Sequence, residues 1–320
     1  MIPFLAAALL LLSAQSAPRA YVGLFKDNAV AVLDTATNSV IGTIPVPPGP
    51  HGMAVTPDGR TVYVSSDGSS VVSAIDTTSD RITATIEVGP TPHGLAMLPD
   101  GSRLLAAVFG ADQVVAIDAR SNQVVASWPV PSPHNIAISP DGATAFVAAQ
   151  KQGATGLTIL DLISGTVVDS IPEDTAPRAL SFSPDGKQLA FTLTNSDAVH
   201  VLDPASRREV APVPVGVSPH YPLFDSAGDL GMVVSQGPGT LDLFDPTTHA
   251  ARGSVGVGQA PHWIGLAGAG HAAYVTNEAS NEVSVVDLDA GSVTATIPVG
   301  QGPRKIVVQP GAGPAAAIAR

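Results

Sequence analysis

The sequence contains no cysteine among its 320 residues. This absence excludes a disulfide framework, an anchor attached to cysteine and any chemistry that needs a thiolate. Charged residues are also scarce, at 13%, and 27 acidic residues against 15 basic ones give a formal net charge of -12. Nucleic-acid binding depends on Lys and Arg replacing counterions at phosphates, so this charge argues against a nucleic-acid partner.

Three familiar catalytic patterns are missing as well. The sequence has no HExxH, no Gly-x-Ser-x-Gly and no P-loop. Zinc-protease, serine-hydrolase and nucleotide-binding interpretations therefore have no motif to rest on.

Glycine and proline, in contrast, are abundant, with 31 and 29 residues, and 45% of the chain is hydrophobic. This composition favours short buried strands separated by turns, and it disfavours both disorder and long surface helices.

A repeated unit runs through almost the whole chain, and residues 92–101, Pro-His-Gly-Leu-Ala-Met-Leu-Pro-Asp-Gly, show it clearly. Its relatives recur at steps of 41 to 44 residues, starting at His51, His93, His134, Arg178, His220, His262 and Arg304. A period of 40 to 45 residues is typical of a four-stranded propeller blade. The sequence therefore predicts an all-β fold, a seven-bladed β-propeller.

Within the unit that starts at His93, the pattern predicts four strands, a to d, over residues 93–98, 103–109, 113–118 and 123–129. The chain begins with a b strand at residues 20–24, and the missing a strand lies at residues 304–309. We therefore expect the C-terminal strand to complete the first blade and close the ring, which removes open sheet edges.

The sequence divides into three predicted segments. Residues 1–16 resemble a secretion signal, with an apolar run followed by small residues at Ala14 and Ser16. Residues 17–310 form the propeller, and residues 311–320 form a C-terminal tail. We expect an exported monomer, periplasmic or secreted, without a transmembrane segment.

Seven aspartates at the ends of the c strands are spaced by 42 or 43 residues. We interpret them as turn residues whose carboxylates accept hydrogen bonds from backbone amides, and not as ligands. They are Asp34, Asp76, Asp118, Asp161, Asp203, Asp245 and Asp287.

The segment Tyr274-Val275-Thr276-Asn277, followed by Val283 to Asp287 and by Ala295 to Gly300, resembles the repeat of the YVTN family. Degraded copies begin at Tyr21, Tyr63 and Phe146. The resemblance implies a seven-bladed propeller of the surface-layer or periplasmic type. It implies little about function, because similar rings include redox enzymes and lactonases, and some relatives bind single-stranded DNA.

The sharpest functional feature is a set of histidines at one position of the repeat. His51, His93, His134, His220 and His262 should enter the inner strands at the top face, which the d-to-a and b-to-c connections form, with Arg178 and Arg304 in the other two blades. One interpretation is that these residues only pack and form hydrogen bonds between blades. Another is a transition-metal site for copper, zinc or iron, with His51, His93 and His134 as the best set.

A third interpretation is an organic or anionic ligand. The residues that follow the ring positions are small on one arc, whereas the other arc has Tyr221, Trp263 and Lys305. Together with Arg178 and Arg304 they predict an aromatic and basic wall that binds a small ligand.

These observations favour a binding or scaffold protein that uses the top mouth of its channel for a small molecule or a protein partner. The absence of a catalytic motif argues against an enzyme. The alternatives are a metal-dependent, plausibly copper, oxidoreductase that uses the histidine arc and, behind it, a lactonase-like hydrolase or a single-stranded DNA binder.

Overall fold

The chain folds into a ring of seven four-stranded antiparallel sheets, as the repeat predicts. The computed structural model describes residues 17–267 and 270–311, so the predicted signal at residues 1–16 and most of the tail lie outside the described residues. Each sheet is one blade, and we name its strands a to d from the channel outwards.

Blade 1 is completed by the C-terminal strand, and its order is β28-β1-β2-β3. These strands are β1 (Arg19–Leu24), β2 (Ala29–Asp34), β3 (Ser39–Pro45) and β28 (Pro303–Val308). The pairing of β28 with β1 confirms the predicted closure, since it joins residues about 290 positions apart in the chain.

The other six blades are continuous in sequence. Blades 2 to 4 comprise β4 (Pro50–Val55), β5 (Thr61–Ser66), β6 (Val71–Asp76), β7 (Arg81–Glu87), β8 (Pro92–Met97), β9 (Arg103–Val108), β10 (Gln113–Asp118), β11 (Gln123–Pro129), β12 (Pro133–Ile138), β13 (Thr144–Ala149), β14 (Gly156–Asp161) and β15 (Thr166–Pro172). A short 3-10 turn, Phe109–Ala111, joins β9 to β10.

Blades 5 to 7 follow the same order. They comprise β16 (Pro177–Phe182), β17 (Leu189–Leu193), β18 (Ala198–Asp203), β19 (Arg208–Pro214), β20 (Pro219–Phe224), β21 (Gly231–Ser235), β22 (Thr240–Phe244), β23 (Ala251–Gly256), β24 (Pro261–Ala267), β25 (Ala272–Asn277), β26 (Glu282–Asp287) and β27 (Ser292–Pro298).

The hydrophobic core lies between blades. One cluster, for example, joins Tyr21 and Val32 of blade 1 to Met53 and Val64 of blade 2. The b and c strands are buried on both faces, which explains their nearly continuous runs of Val, Ala, Leu and Ile. The d strands expose most of their residues, because each is the outer edge of its blade.

The aspartates that end the c strands are turn residues, as predicted. Asp34 Oδ1, for instance, accepts hydrogen bonds from the backbone N–H groups of Ala36 at 2.7 Å and Thr37 at 3.2 Å. The other six carboxylates accept the same pair of amide hydrogens in their own turns. Their role is to satisfy turn donors.

In the blades whose repeat motif begins with tyrosine, the tyrosine hydroxyl forms a hydrogen bond to the next blade. Tyr274 Oη donates a hydrogen bond to Asn38 Oδ1 at 2.5 Å, which links blade 7 to blade 1. Tyr63 and Tyr21 make equivalent bonds to Asn122 and Asp80. Each acceptor has a positive φ of 50° to 55°, a conformation that Asn and Asp tolerate better than most residues.

We expect Tyr274→Phe to lower the free energy of unfolding by about 1 kcal/mol, because it removes a partly buried hydrogen bond at the ring closure. Urea denaturation measures this change. Tyr221→Phe is the matched control, since the Tyr221 hydroxyl has no hydrogen-bond partner within residues 17–267 and 270–311. Equal stability losses in the two variants would contradict a stabilising hydrogen bond between Tyr274 and Asn38.

Candidate metal centre at the top mouth

The seven ring residues each occupy the second position of an inner strand and meet around the top mouth of the channel. The inner strands contact their neighbours all the way round the ring, β28 with β4 included. Each inner strand is also irregular here, because its pairing with the b strand shifts register between the proline and the residues beyond the ring position. Such bulges redirect side chains, and they commonly occur beside functional sites.

The histidines fall into two groups. The ring centroids of His51 and His93 are 4.3 Å apart, those of His93 and His134 are 4.9 Å apart, and those of His51 and His134 are 5.7 Å apart. His220 and His262 form a second pair at 4.0 Å, and the His262 ring lies 6.4 Å from that of His51. The repeat spacing predicts that all five ring histidines lie at the mouth, and the structure places them there.

The first group has the geometry of a three-nitrogen metal site. One ring nitrogen from each of His51, His93 and His134 lies within 4.8 Å of the other two. Zinc–nitrogen bonds of about 2.0–2.1 Å in tetrahedral geometry require nitrogens ~3.4 Å apart, so small side-chain rotations are sufficient. Three imidazoles leave a fourth coordination position for water or another ligand.

The orientation of His134 is fixed by its neighbour. Its Nδ1 lies 2.9 Å from the backbone oxygen of Arg178, which also accepts a hydrogen bond from Asn135 Nδ2 at 2.9 Å. A neutral ring that donates its Nδ1 hydrogen to this oxygen keeps a lone pair on Nε2. A backbone carbonyl in this place is a common outer partner of metal-binding histidines.

Four other ring nitrogens are buried without a hydrogen-bond partner in the described part of the chain. They are the Nδ1 atoms of His51, His93, His220 and His262, and His249 Nε2, away from the mouth, is buried without a partner as well. The packing interpretation expects each histidine to form a hydrogen bond between blades; His134 bonds the Arg178 carbonyl, and a backbone hydrogen bond from His262 acts on the His220 ring. Unsatisfied buried nitrogens are unfavourable, and at His51 and His93 they coincide with the three converging rings, which favours metal coordination there over packing alone.

All five rings are held in the neutral form. Burial lowers the pKa of His93 and of His220 to about 3, and that of His134 to about 4. Burial likewise lowers the pKa of His51 and His262 well below its usual value, and neighbouring rings and Arg304 add to the effect. Neutral imidazole is the form that coordinates a metal, so no proton must be displaced at neutral pH.

The two ring arginines are engaged by the loops of the top face. Arg304 Nε pairs with Glu278 Oε1 at 3.1 Å, and its guanidinium carbon lies 3.5 Å from the centroid of the Phe25 ring. Arg178 Nη1 donates to Ser218 Oγ at 3.0 Å and to Gln236 Oε1 at 3.3 Å. Each of these polar contacts uses one nitrogen of its guanidinium, and the role of the two arginines in ligand binding stays a prediction.

The remaining predicted ligand residues lie deeper in the channel. Tyr221 and Trp263 stack with ring centroids 3.6 Å apart, and Lys305 Nζ lies 4.0 Å from the Trp263 centroid. The three do form an aromatic and basic wall. These three side chains line a cavity whose lining includes neither Arg178, Arg304 nor any of the five ring histidines.

Sequence reasoning missed several residues that shape the mouth. Asp67 Oδ2 lies 3.8 Å from His93 Nε2, and Phe109 packs 5.1 Å from the His93 ring. Both come from b-to-c connections, which were expected around this mouth without being assigned contacts. The hydroxyls of Ser65, Thr192 and Thr276 donate to the backbone oxygens of the ring residue in the next blade. Thr276 is the third residue of the Tyr-Val-Thr-Asn motif, so the motif itself was the available signal.

The three histidines outside the ring are also outside the mouth. His200 pairs with Glu209 at 2.8 Å, His271 pairs with Asp289 at 2.9 Å, and His249 lies in a turn. They serve as natural controls for the ring histidines.

The glycine after His51 is required by the close approach of two inner strands. A Cβ at Gly52 would lie closer than 3.0 Å to the backbone oxygen of His93 and to Ser65 Oγ. We expect Gly52→Ala to lower the free energy of unfolding by about 1–3 kcal/mol and to disturb the histidine triad. Gly256→Ala, with no atom within 4 Å of the added carbon, is the control. Similar urea midpoints for the two variants would contradict this contact.

Known proteins resemble this chain in part of its sequence and throughout its fold. Residues 19–103 match the family model of YNCE-like beta-propellers. A search of curated proteins found no match. No helix among the described residues is long and apolar enough to cross a membrane.

Solved structures share the architecture. A chain of Kuenenia stuttgartiensis hydrazine synthase is 24% identical, with a TM-score of 0.77, over 83% of this chain and 91% of that chain. Apo AztD from Citrobacter koseri is 16% identical, with a TM-score of 0.72, over 93% of this chain and 99% of that chain.

The dihydro-heme d1 dehydrogenase NirN in complex with DHE is 17% identical, with a TM-score of 0.70, over 92% of this chain and 76% of that chain. At these identities the likeness concerns the fold. The family match over residues 19–103 and the closed ring of seven blades agree with the resemblance seen in the repeat: the chain is a seven-bladed β-propeller that is similar to YNCE-like propellers.

Proposed function

We propose that this protein is an exported binding protein that holds one transition-metal ion, zinc or copper, at the top mouth of its channel. His51, His93 and His134 are the protein ligands. The observation behind the proposal is that three neutral, largely buried imidazoles converge with one nitrogen each within 4.8 Å. Imidazole is a preferred ligand of both metals, and copper(II) should bind more tightly than zinc(II) in solution.

The site is built for retention rather than for a surface contact. His51 is buried, His93 and His134 are only partly exposed, and the Arg178 carbonyl fixes the His134 ring. Preorganised rings lose little freedom when the ion binds, which favours affinity. The partly exposed rings leave the ion accessible from the top face, where a fourth ligand or a partner protein can reach it.

Metal uptake by the purified protein tests the proposal. Chelator-treated protein is dialysed against zinc at pH 7 and analysed for zinc per chain. We expect one zinc per chain in the native protein and none in the triple variant His51→Ala, His93→Ala, His134→Ala. The matched control, His200→Ala, His249→Ala, His271→Ala, also loses three histidines and should retain its zinc. Absence of stoichiometric zinc in the native protein, or equal uptake by both triple variants, would refute the proposal.

The redox alternative makes a further demand on the same site. An oxidoreductase must cycle its copper between two oxidation states during turnover, whereas a binding protein need not. Copper-loaded protein that oxidises a substrate in repeated turnovers, and loses this activity with His93→Ala, would favour the enzyme over the binding protein.

A further inference from the structure

The channel below the histidine ring contains a chamber of about 390 Å³. Its wall is mainly aliphatic, with Met53, Leu95, Ile136, Leu180, Ile264 and Ile306 contributed by six inner strands. This volume lies within the range of small-molecule sites, which are mostly apolar with a few polar groups. The chamber uses none of the three proposed metal ligands.

One basic side chain is buried in this apolar wall. Lys305 is 7% exposed, and its Nζ lies 4.0 Å from the Trp263 ring centroid. No carboxylate within residues 17–267 and 270–311 forms an ion pair with it, and no hydrogen-bond acceptor contacts its Nζ there. A buried ammonium without an acidic partner is costly, and the face of an indole offsets only a part of that cost.

The aromatic pair beside Lys305 gives the chamber a flat side. Tyr221 stacks on Trp263 at 3.6 Å with an angle of 10° between the rings. Trp263 is itself anchored, because its backbone N–H donates to Thr276 Oγ1 at 3.0 Å. A planar or aliphatic body can pack here while a charged end reaches Lys305.

We propose that this chamber binds a small organic monocarboxylate, with the carboxylate on Lys305 and the apolar body against Trp263 and the aliphatic wall. A single negative charge matches the single ammonium. A phosphate dianion or a dicarboxylate would leave an unpaired charge in an apolar chamber, so those anions should bind more weakly. The site shares no lining residue with the proposed metal centre.

Benzoate is a suitable probe, and its binding is followed by calorimetry and by tryptophan fluorescence with chelator present. We expect Lys305→Met, which preserves volume without the charge, to lose at least about 10-fold in benzoate affinity, because the charged partner is removed. Lys151→Met, at an exposed lysine, should bind like the native protein. Benzyl alcohol, the neutral analogue, should bind weakly and equally to all three proteins.

The pH dependence supplies a readout that needs no variant. Burial lowers the pKa of Lys305 to about 7, so its ammonium is lost as the pH rises through neutrality. The titratable groups around it stay neutral: burial raises the pKa of Tyr221 and lowers those of His134 and His262. Benzoate affinity should therefore fall at least about 10-fold between pH 6.0 and pH 8.5.

Benzoate binding can be tested separately from metal binding. Equal benzoate affinity for the native protein and Lys305→Met, affinity that does not change with pH, or no binding at millimolar benzoate would each overturn the inference. The triple variant of His51, His93 and His134 should keep its benzoate site if it remains folded by circular dichroism. A failure of the metal proposal therefore leaves this result unaffected.

Discussion

Replacing His93 with alanine should weaken zinc binding by more than about 100-fold. The variant removes the central ligand of the triad, whose ring lies 4.3 Å from that of His51 and 4.9 Å from that of His134. Loss of an outer partner alone typically costs 10- to 100-fold in metal affinity, so loss of a ligand should cost more. Competition with a chromophoric chelator at pH 7 measures the affinity of each variant.

The other members of the ring provide the sharpest control for this result. His220→Ala removes a ring histidine of similar burial from the opposite arc, where it pairs with His262 at 4.0 Å. We expect its zinc affinity to remain within about threefold of the native value, since His220 is not among the three histidines whose nitrogens converge within 4.8 Å. If His220→Ala and His93→Ala weaken zinc equally, the ion is held by the whole ring and the assignment to the triad is wrong.

Acid should destabilise the metal-free protein well above the pH at which carboxylates titrate. Each buried histidine has a folded-state pKa below its unfolded value of about 6.5, so the unfolded state binds more protons as the pH falls. The stability from neutral rings is complete above pH 6.5 and is lost as the pH falls toward the folded values, about 4 for His134 and about 3 for His93 and His220. We expect the free energy of unfolding to fall by several kcal/mol, at up to ~1.4 kcal/mol per pH unit for each ring.

Urea denaturation at pH 7.0, 6.0 and 5.0 measures this loss. The turn aspartates do not interfere, because hydrogen bonds lower the pKa of carboxyls such as Asp76 and Asp118, and these groups lose their stabilising charge only at lower pH. A His220→Gln variant should show a shallower pH slope by up to about one proton, since it removes one titrating ring. Constant stability from pH 7 to pH 5 would show that the rings are not buried and neutral as described.

Much of the fold follows from the sequence because a repeated unit reveals its own boundaries. The predicted c and d strands of the unit at His93, residues 113–118 and 123–129, match β10 and β11. The inner strand lies one residue earlier than predicted at both ends, over Pro92–Met97, and Pro92 still pairs with Val108. The b strand ends one residue earlier, at Val108, because Phe109 begins a 3-10 turn.

The site could be located from the sequence, but its internal divisions could not. Equal spacing places seven residues at one mouth. It does not show that His93 and Lys305 belong to two different sites. Their separation depends on the bulge in each inner strand and on contacts between blades. Asp67 and Phe25 reach the mouth from b-to-c connections whose side-chain directions no repeat pattern specifies.

The central claim is that three named histidines hold one metal ion, and anomalous X-ray diffraction from zinc-loaded crystals tests it most directly. We predict one strong zinc peak per chain, about 2.0–2.1 Å from a ring nitrogen of each of His51, His93 and His134. A peak at the pairs of His200 with Glu209 or His271 with Asp289, and none at the top mouth, would contradict the claim.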